Sequence, residues 1–341
     1  MMKINGDLCH DNLIVNTKQE LAFDQKKPLD EQKELLKSMF RELTGYNVIA
    51  LNACKQNLII ESDEIEDDYR LIRFVFESEK DCFVPCYLLI PNTGKEKYPV
   101  VITLQGHKKG GMYNSIGIVK HAEDEAYQPR GAFALQAVQN GYAALCVELR
   151  GMGELHPSEG PRSWGGTCAY TGLTGLLLGR TLVGERAWDI SHAIDILSNF
   201  KELDLNKIAI TGNSGGGTAS FYAACMDERI KISAPSCSFC PYLESIFNVY
   251  HCTCNYIPKA YQWFDMQDLA ALIAPRKLII IAGQEDGIFR IDGVRRGFET
   301  VMKIYEKAGV IDNCRLVETP KGHYWCEDIV WPAINQAMSE I

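Results

Sequence analysis

Apolar residues follow two different periods along this chain. From Leu29 to Leu43 they recur every three or four positions, the spacing of an amphipathic helix, and Gly45 stops the pattern. Residues 1 to about 60 read as polar and helical throughout. The period then changes. Tyr69–Glu77 and Cys82–Ile90 alternate like two antiparallel strands, joined by the charged turn Glu79-Lys80-Asp81. Pro99–Leu104 and Tyr142–Leu149 are almost continuously apolar, as strands buried on both faces are. A helix over Gly131–Gln139, closed by Asn140-Gly141, separates them. A second amphipathic helix, Ala187–Phe200, feeds a strand at Lys207–Thr211, and further buried strands follow at Ile230–Ala234, Arg276–Ala282 and Cys314–Glu318. Strands and helices alternating in this way predict an α/β fold, a mostly parallel sheet with helices on both faces. The division expected is an N-terminal helical extension over 1–64, packed on the core, and a main α/β domain over 65–341. The stretch 151–184, rich in Gly, Thr and Leu, is longer than an ordinary connection. Because it leaves the carboxyl end of a strand, where such sheets bind ligands, it reads as a wall or partial lid, or else as packed surface elaboration.

Chemistry enters at Gly212-Asn213-Ser214-Gly215-Gly216, which lies directly after the apolar run Lys207–Thr211 and before the helix-prone Thr218–Met226. A strand, a tight Gly-x-Ser-x-Gly turn and a helix present a serine hydroxyl in a strained, exposed position. A hydroxyl needs a histidine to take its proton, and the histidine needs an acid to orient it. When a serine is presented this way, the acid and then the base follow it along the chain, each just beyond a strand. Gly283-Gln284-Glu285-Asp286 follows the apolar Leu278–Ile281, and Lys321-Gly322-His323 follows Arg315-Leu316-Val317. Asp286 is the expected acid, with Glu285 and Asp292 as competitors. His323 is the expected base; His251 is the other histidine after Ser214. Two main-chain N–H groups are needed to hold a developing oxyanion. Gly215 should supply one. His107, in the loop Gln105–Gly111, should supply the other, although its imidazole could itself be a base.

Composition narrows the picture. The 341 residues carry a formal net charge of −9, which argues against a nucleic-acid partner. No apolar stretch approaches the roughly 20 residues of a membrane span, and the N-terminus has no signal-peptide core. Thirteen scattered cysteines suit free thiols in a reducing, cytoplasmic protein. A small-molecule partner is expected, and homo-oligomerisation is left open.

On these residues the chain, from about 65 to 335, resembles the acetyl xylan esterase and cephalosporin-C deacetylase-like branch of the α/β-hydrolases, related to dienelactone hydrolases. The motifs that carry the resemblance are Gln105-Gly106-His107, Arg150-Gly151-Met152-Gly153, Gly212–Gly216, Ile273-Ala274-Pro275-Arg276, Gly283–Asp286 and Gly322-His323, in that order. It implies an α/β-hydrolase fold with a mostly parallel eight-stranded sheet. It also implies Ser214 as nucleophile, His323 as base, Asp286 as orienting acid, and main-chain oxyanion donors at His107 and Gly215. Arg150 and Arg276 would brace loops at the sheet edge. The activity implied is cleavage of carboxylic esters of small acyl groups such as acetyl, with neither metal nor organic cofactor. A peptidase or amidase on the same triad, or a non-catalytic hydrolase-fold binding protein, are the alternatives. Two departures stand out: Gly215-Gly216-Gly217 replaces the Gln-Gly-Gly of those deacetylases, and Gln-Gly replaces their His-Gly in the first loop.

Weaker signals remain. Cys237-x-x-Cys240 and His251-Cys252-Thr253-Cys254 together invite a zinc reading, weighed against packed free thiols. Cys237 and Cys240 are expected near the functional edge. Trp164, Tyr170, Trp263, Phe264 and Trp325 read either as a substrate pocket or as ordinary core, and Glu148 as a partner of Arg150.

Overall fold

The computed structural model describes residues 5–157 and 168–341. Its strands are β1 (Leu58–Ile65), β2 (Tyr69–Glu79), β3 (Cys82–Pro91), β4 (Tyr98–Leu104), β5 (Ala143–Val147), β6 (Leu203–Asn213), β7 (Ile230–Ser236), β8 (Lys277–Gly283) and β9 (Cys314–Thr319). They form a nine-stranded sheet in the order β1-β2-β3-β5-β4-β6-β7-β8-β9. The first three strands pair antiparallel, and β3 meets β5 antiparallel; from β5 to the far edge every pairing is parallel. The helices are α1 (Leu8–Asn16), α2 (Leu29–Leu43), α3 (Tyr46–Ala50), α4 (Phe133–Gln139), α5 (Ala169–Leu177), α6 (Leu182–Ile196), α7 (Gly215–Met226), α8 (Ala260–Trp263), α9 (Ala270–Ile273), α10 (Ile291–Lys307) and α11 (Glu327–Ser339).

Side chains alternate across a strand, so the continuous apolar runs split between two cores. Val100, Ile102 and Leu104 of β4, with Leu278 and Ile280 of β8, face one layer, which includes α2, α6, α7 and α10. Val101, Ile279 and Ile281 face the other, built largely on α4 and α11. Both faces are therefore covered, as the apolar runs implied.

The sheet has nine strands rather than eight. The extra one is β1, in a stretch that the sequence pattern assigns to the helical extension. Leu58–Ile65 is acidic and mostly exposed, so neither period shows in it. It is held from outside, by pairing with β2 and by Asp63–Arg70 and Glu61–Arg73 bridges of 2.6 and 2.8 Å. The rest of the extension docks through α2. Leu36 and Phe40 lie one turn apart on its buried face, and Phe40 packs against Tyr222 of α7 at 5.6 Å and Phe264 at 6.0 Å between ring centroids.

Of the long stretch 151–184, residues 158–167, Trp164 among them, lie outside the described residues. The remainder contributes α5 and is tied down at its end, where Thr181 Oγ1 donates to the Thr44 carbonyl at 2.9 Å and caps α6 by accepting from Gly184 N–H at 3.1 Å.

Candidate active site

The carboxyl ends of β4 to β9 form one edge, and the candidate residues converge there. β6 ends at Asn213 and α7 starts at Gly215, leaving Ser214 alone in the bend at φ 58° and ψ −121°. A serine at positive φ is strained, and the surroundings must hold it there. Ser214 N–H donates to Ser236 O at 2.9 Å, and its carbonyl accepts from Thr218 N–H at 2.8 Å. Close approach explains the flanking glycines: a Cβ on Gly216 would overlap the Leu104 carbonyl at the end of β4, and one on Gly212 would come within 2.5 Å of the same oxygen. The elbow is thus pressed against the loop that follows β4.

That loop brings His107 onto the elbow. A Cβ on Gly215 would lie 2.7 Å from His107 Cε1, 2.8 Å from Nδ1 and 3.1 Å from the Met152 methyl. A side chain at 215 would therefore press on the His107 ring and the Met152 methyl. Among the described residues, neither His107 N–H nor Gly215 N–H has an acceptor. Two free amides beside a serine are what an oxyanion hole requires.

The structure brings Asp286 and His323 together. His323 Nδ1 and Asp286 Oδ2 are 2.8 Å apart. Asp286 is fully buried, and its Oδ1 accepts the N–H groups of Ile288 (2.8 Å) and Phe289 (3.1 Å). Burial opposes its ionisation, but the imidazole and these two amides outweigh it, so the carboxyl sits below its ordinary value. The loops after β8 and β9 meet back to back. Glu285 N–H donates to Lys321 O at 3.1 Å, and a Cβ on Gly283 would collide with the Gly322 carbonyl. Phe289 stacks on the His323 ring at 6.0 Å.

The competitors stand elsewhere. Glu285 is exposed, and Asp292 is exposed near Arg295 at 3.7 Å. His251 Nε2 is bonded to Ser245 Oγ at 2.9 Å, and burial, then the charge of His323, holds its pKa down. It lines a hollow of about 680 Å³ with Tyr242, Phe247, Tyr250, Tyr256 and Leu176, and its ring lies 5.2 Å from Phe289. Phe289 thus stands between this hollow's His251 and the His323 ring. Of the aromatics that read either as pocket or as core, Trp325 and Phe264 are fully buried in the two cores.

Glu148 is not the partner of Arg150. Arg150 turns to Asp189 and Glu79, each at 2.6 Å, while Glu148 accepts N–H groups from Met112 (3.3 Å) and Glu154 (3.2 Å). Burial pushes its carboxyl up to about 8. Arg150 and Arg276 do brace the structure, the latter by donating to the carbonyls of Asp227, Ile230, Ala224 and Leu272.

Two groups of side chains among the described residues could hold a metal ion. One is Cys237 with Asp286 and His323, and so belongs to the pair above. The other is His107 with Cys168, Cys252 and Cys254. The structure thus divides the cysteines differently from their order in the chain. Cys237 lies against the acid and base, with Cys240 beside α10, whereas Cys252 and Cys254 turn towards His107. Cys168 is missed by the sequence pattern, because no local motif links it to a histidine 61 residues away.

The chain matches the acetyl xylan esterase (AXE1) family over residues 40–268, two thirds of its length. It belongs to that family. It is a carboxylic ester hydrolase. The family match contains the elbow and the His107 loop and ends before the Asp–His pair. Over 243 residues the chain is 25% identical to the protein of Bacillus subtilis (strain 168) named "Putative hydrolase YtaP", covering 70% of this chain and 78% of that one. Its fold is similar to that of a "putative acetyl xylan esterase" from Bacteroides fragilis NCTC 9343, with TM-score 0.79, 18% identity, and 98% and 95% of the two chains covered. A glucuronoyl esterase from Solibacter usitatus aligns with TM-score 0.67 and 14% identity over 95% and 98% of the chains. An acetyl xylan esterase from Paenibacillus sp. R4 gives 0.61 and 15% over 97% and 98%. At such identities the likeness is one of fold, and that fold is the α/β-hydrolase fold. Among the described residues of this esterase, no helix is long and apolar enough to cross a membrane.

Proposed function

We propose that this esterase cleaves small acyl groups, acetyl foremost, from an alcohol oxygen by an acyl-enzyme route through Ser214, His323 and Asp286. The observation that carries the reading is the 2.8 Å Asp286–His323 pair, standing at the same sheet edge as a serine held at φ 58°. Ser214 Oγ attacks the ester carbonyl while His323 Nε2 takes its proton. Asp286 fixes the tautomer by accepting from Nδ1, and stabilises the imidazolium. The carbonyl oxygen becomes an oxyanion and is met by the N–H groups of His107 and Gly215. His323 then gives its proton to the departing alkoxide, releasing the alcohol. Water repeats the cycle on the acyl-serine and frees the acid. Every step uses side chains, main-chain amides and water.

Acetylated carbohydrates are the substrate class we favour, because the family and several structures of similar fold bear carbohydrate-esterase names. Thirteen cysteines, all free, fit a cytoplasmic site of action. Ser214→Ala should lower turnover of p-nitrophenyl acetate to background with an unchanged melting curve, and a fluorophosphonate should label Ser214 in the parent only. Undiminished turnover in that variant would overturn the mechanism. A panel of acyl lengths and acetylated sugars then reads the substrate.

A further inference from the structure

We propose that His107, Cys168, Cys252 and Cys254 form a tetrahedral zinc site directly behind the nucleophile elbow. The four side chains come from three separate segments: the loop after β4, the start of α5, and the connection between β7 and β8. Their ligand atoms all lie within 4.8 Å of one another. His107 Nε2 is 3.2 Å from Cys254 Sγ and 3.5 Å from Cys168 Sγ. Zinc bonds of about 2.3 Å to sulfur and 2.1 Å to nitrogen, at tetrahedral angles, place such atoms about 3.6 Å apart. The cluster thus has nearly the spacing of a ligand set before any adjustment. Three thiolates with one imidazole are also a set that selects zinc over magnesium or calcium.

A second, independent observation is Arg186. It is 2% exposed, and among the described residues no carboxylate pairs with it. Its guanidinium donates instead to the Arg150 carbonyl, at 2.7 and 3.1 Å, and to Cys168 Sγ at 3.0 Å. A buried cation needs a countercharge. Three thiolates around a divalent ion leave one net negative charge, which Arg186 balances. Its N–H to a ligand sulfur is the kind of outer contact that orients and tunes such a site.

Four protein ligands close the coordination shell, so the ion would be a fastener rather than a Lewis acid for substrate. It would pin the loop bearing the His107 amide to α5 and to the β7–β8 connection. Binding displaces the thiol protons to solvent, with no oxidant or reductant involved.

The test is metal content, which needs no substrate and so stands or falls separately from the esterase reading. The full chain, purified reduced, exposed to zinc and then dialysed against metal-free buffer, should retain about one zinc per chain by elemental mass spectrometry. Cys252→Ser and Cys254→Ser should each drop this to below about a tenth, while Cys237→Ser and Cys240→Ser keep it whole. Should the first two variants fail to fold, cobalt loaded into Cys237→Ser, which removes the thiol of the other cluster, gives the answer: thiolate-to-cobalt charge-transfer bands with tetrahedral d–d absorption are expected. A parent that retains no zinc, a cobalt spectrum without thiolate bands, or full zinc in both Cys252→Ser and Cys254→Ser would overturn the proposal.

Discussion

Asp286→Asn is the sharpest probe of the proposed mechanism, because the structure dictates which way the new amide must face. In the parent, Oδ1 accepts two main-chain N–H groups and Oδ2 faces His323 Nδ1. An asparagine can keep the first arrangement only by leaving its oxygen on Ile288 and Phe289. Its NH₂ then points at Nδ1. Turning the amide over would set a donor against two donors, at about 1–3 kcal/mol for each N–H left unpaired. The amide therefore stays put and donates to Nδ1, which drives the ring proton to Nε2. A protonated Nε2 cannot take the Ser214 proton. The expected loss is about 10⁴ in kcat, or about 5.4 kcal/mol of transition-state stabilisation. The assay is p-nitrophenyl acetate turnover at neutral pH, with Asp292→Asn as the control that changes little. A second readout follows from the sign of the pKa shift. A carboxyl held below its ordinary value in the folded state contributes stability above its unfolded pKa and loses it as pH falls through the folded one. The variant should therefore melt below the parent at pH 7, and the gap should close towards pH 3. A folded Asp286→Asn that keeps more than about a tenth of the parent kcat refutes the tautomer argument.

Glu148→Gln should be neutral near pH 4 and stabilising at pH 8: a carboxyl pushed up to about 8 makes the folded state lose stability as pH rises above the ordinary carboxylate range, and melting curves across that window would show it. Identical pH dependence in both proteins would contradict the buried-acid reading. Gly215→Gln, which restores the deacetylase residue, should cost about 1–3 kcal/mol of stability and at least about tenfold in kcat, since its Cβ would fall 2.7 Å from the His107 ring. A variant as stable and active as the parent would show that the ring does not rest on the elbow.

The candidate site was legible wherever a residue sits just beyond a strongly patterned strand. Ser214, Asp286 and His323 each follow an apolar run and share a turn with a glycine that close approach requires. Local sequence encodes all of that. What was hidden depends on distant partners. β1 is a strand because β2 accepts it, not because its acidic residues alternate. Arg150 chose Asp189 and Glu79 over nearby Glu148 because β2 and α6 bring those carboxylates to it. Cys252 and Cys254 are visible as a pair, and nearness in sequence suggests only Cys237, Cys240 and His251 as company for them. The fold instead carries His107 and Cys168 to them from far upstream.

The order of strands along the chain also sets when, during synthesis, the groups of the proposed mechanism can come together. The elbow lies mid-sheet on β6, Asp286 follows β8 two positions outward, and His323 follows β9, the outermost strand. Domains are made from the amino end, so the nucleophile and both candidate amides emerge long before the base. Until β9 docks along β8, a nascent chain displays Ser214 without its proposed base. A chain cut short beyond the family-matched region would keep the elbow and lack both side chains proposed to activate it.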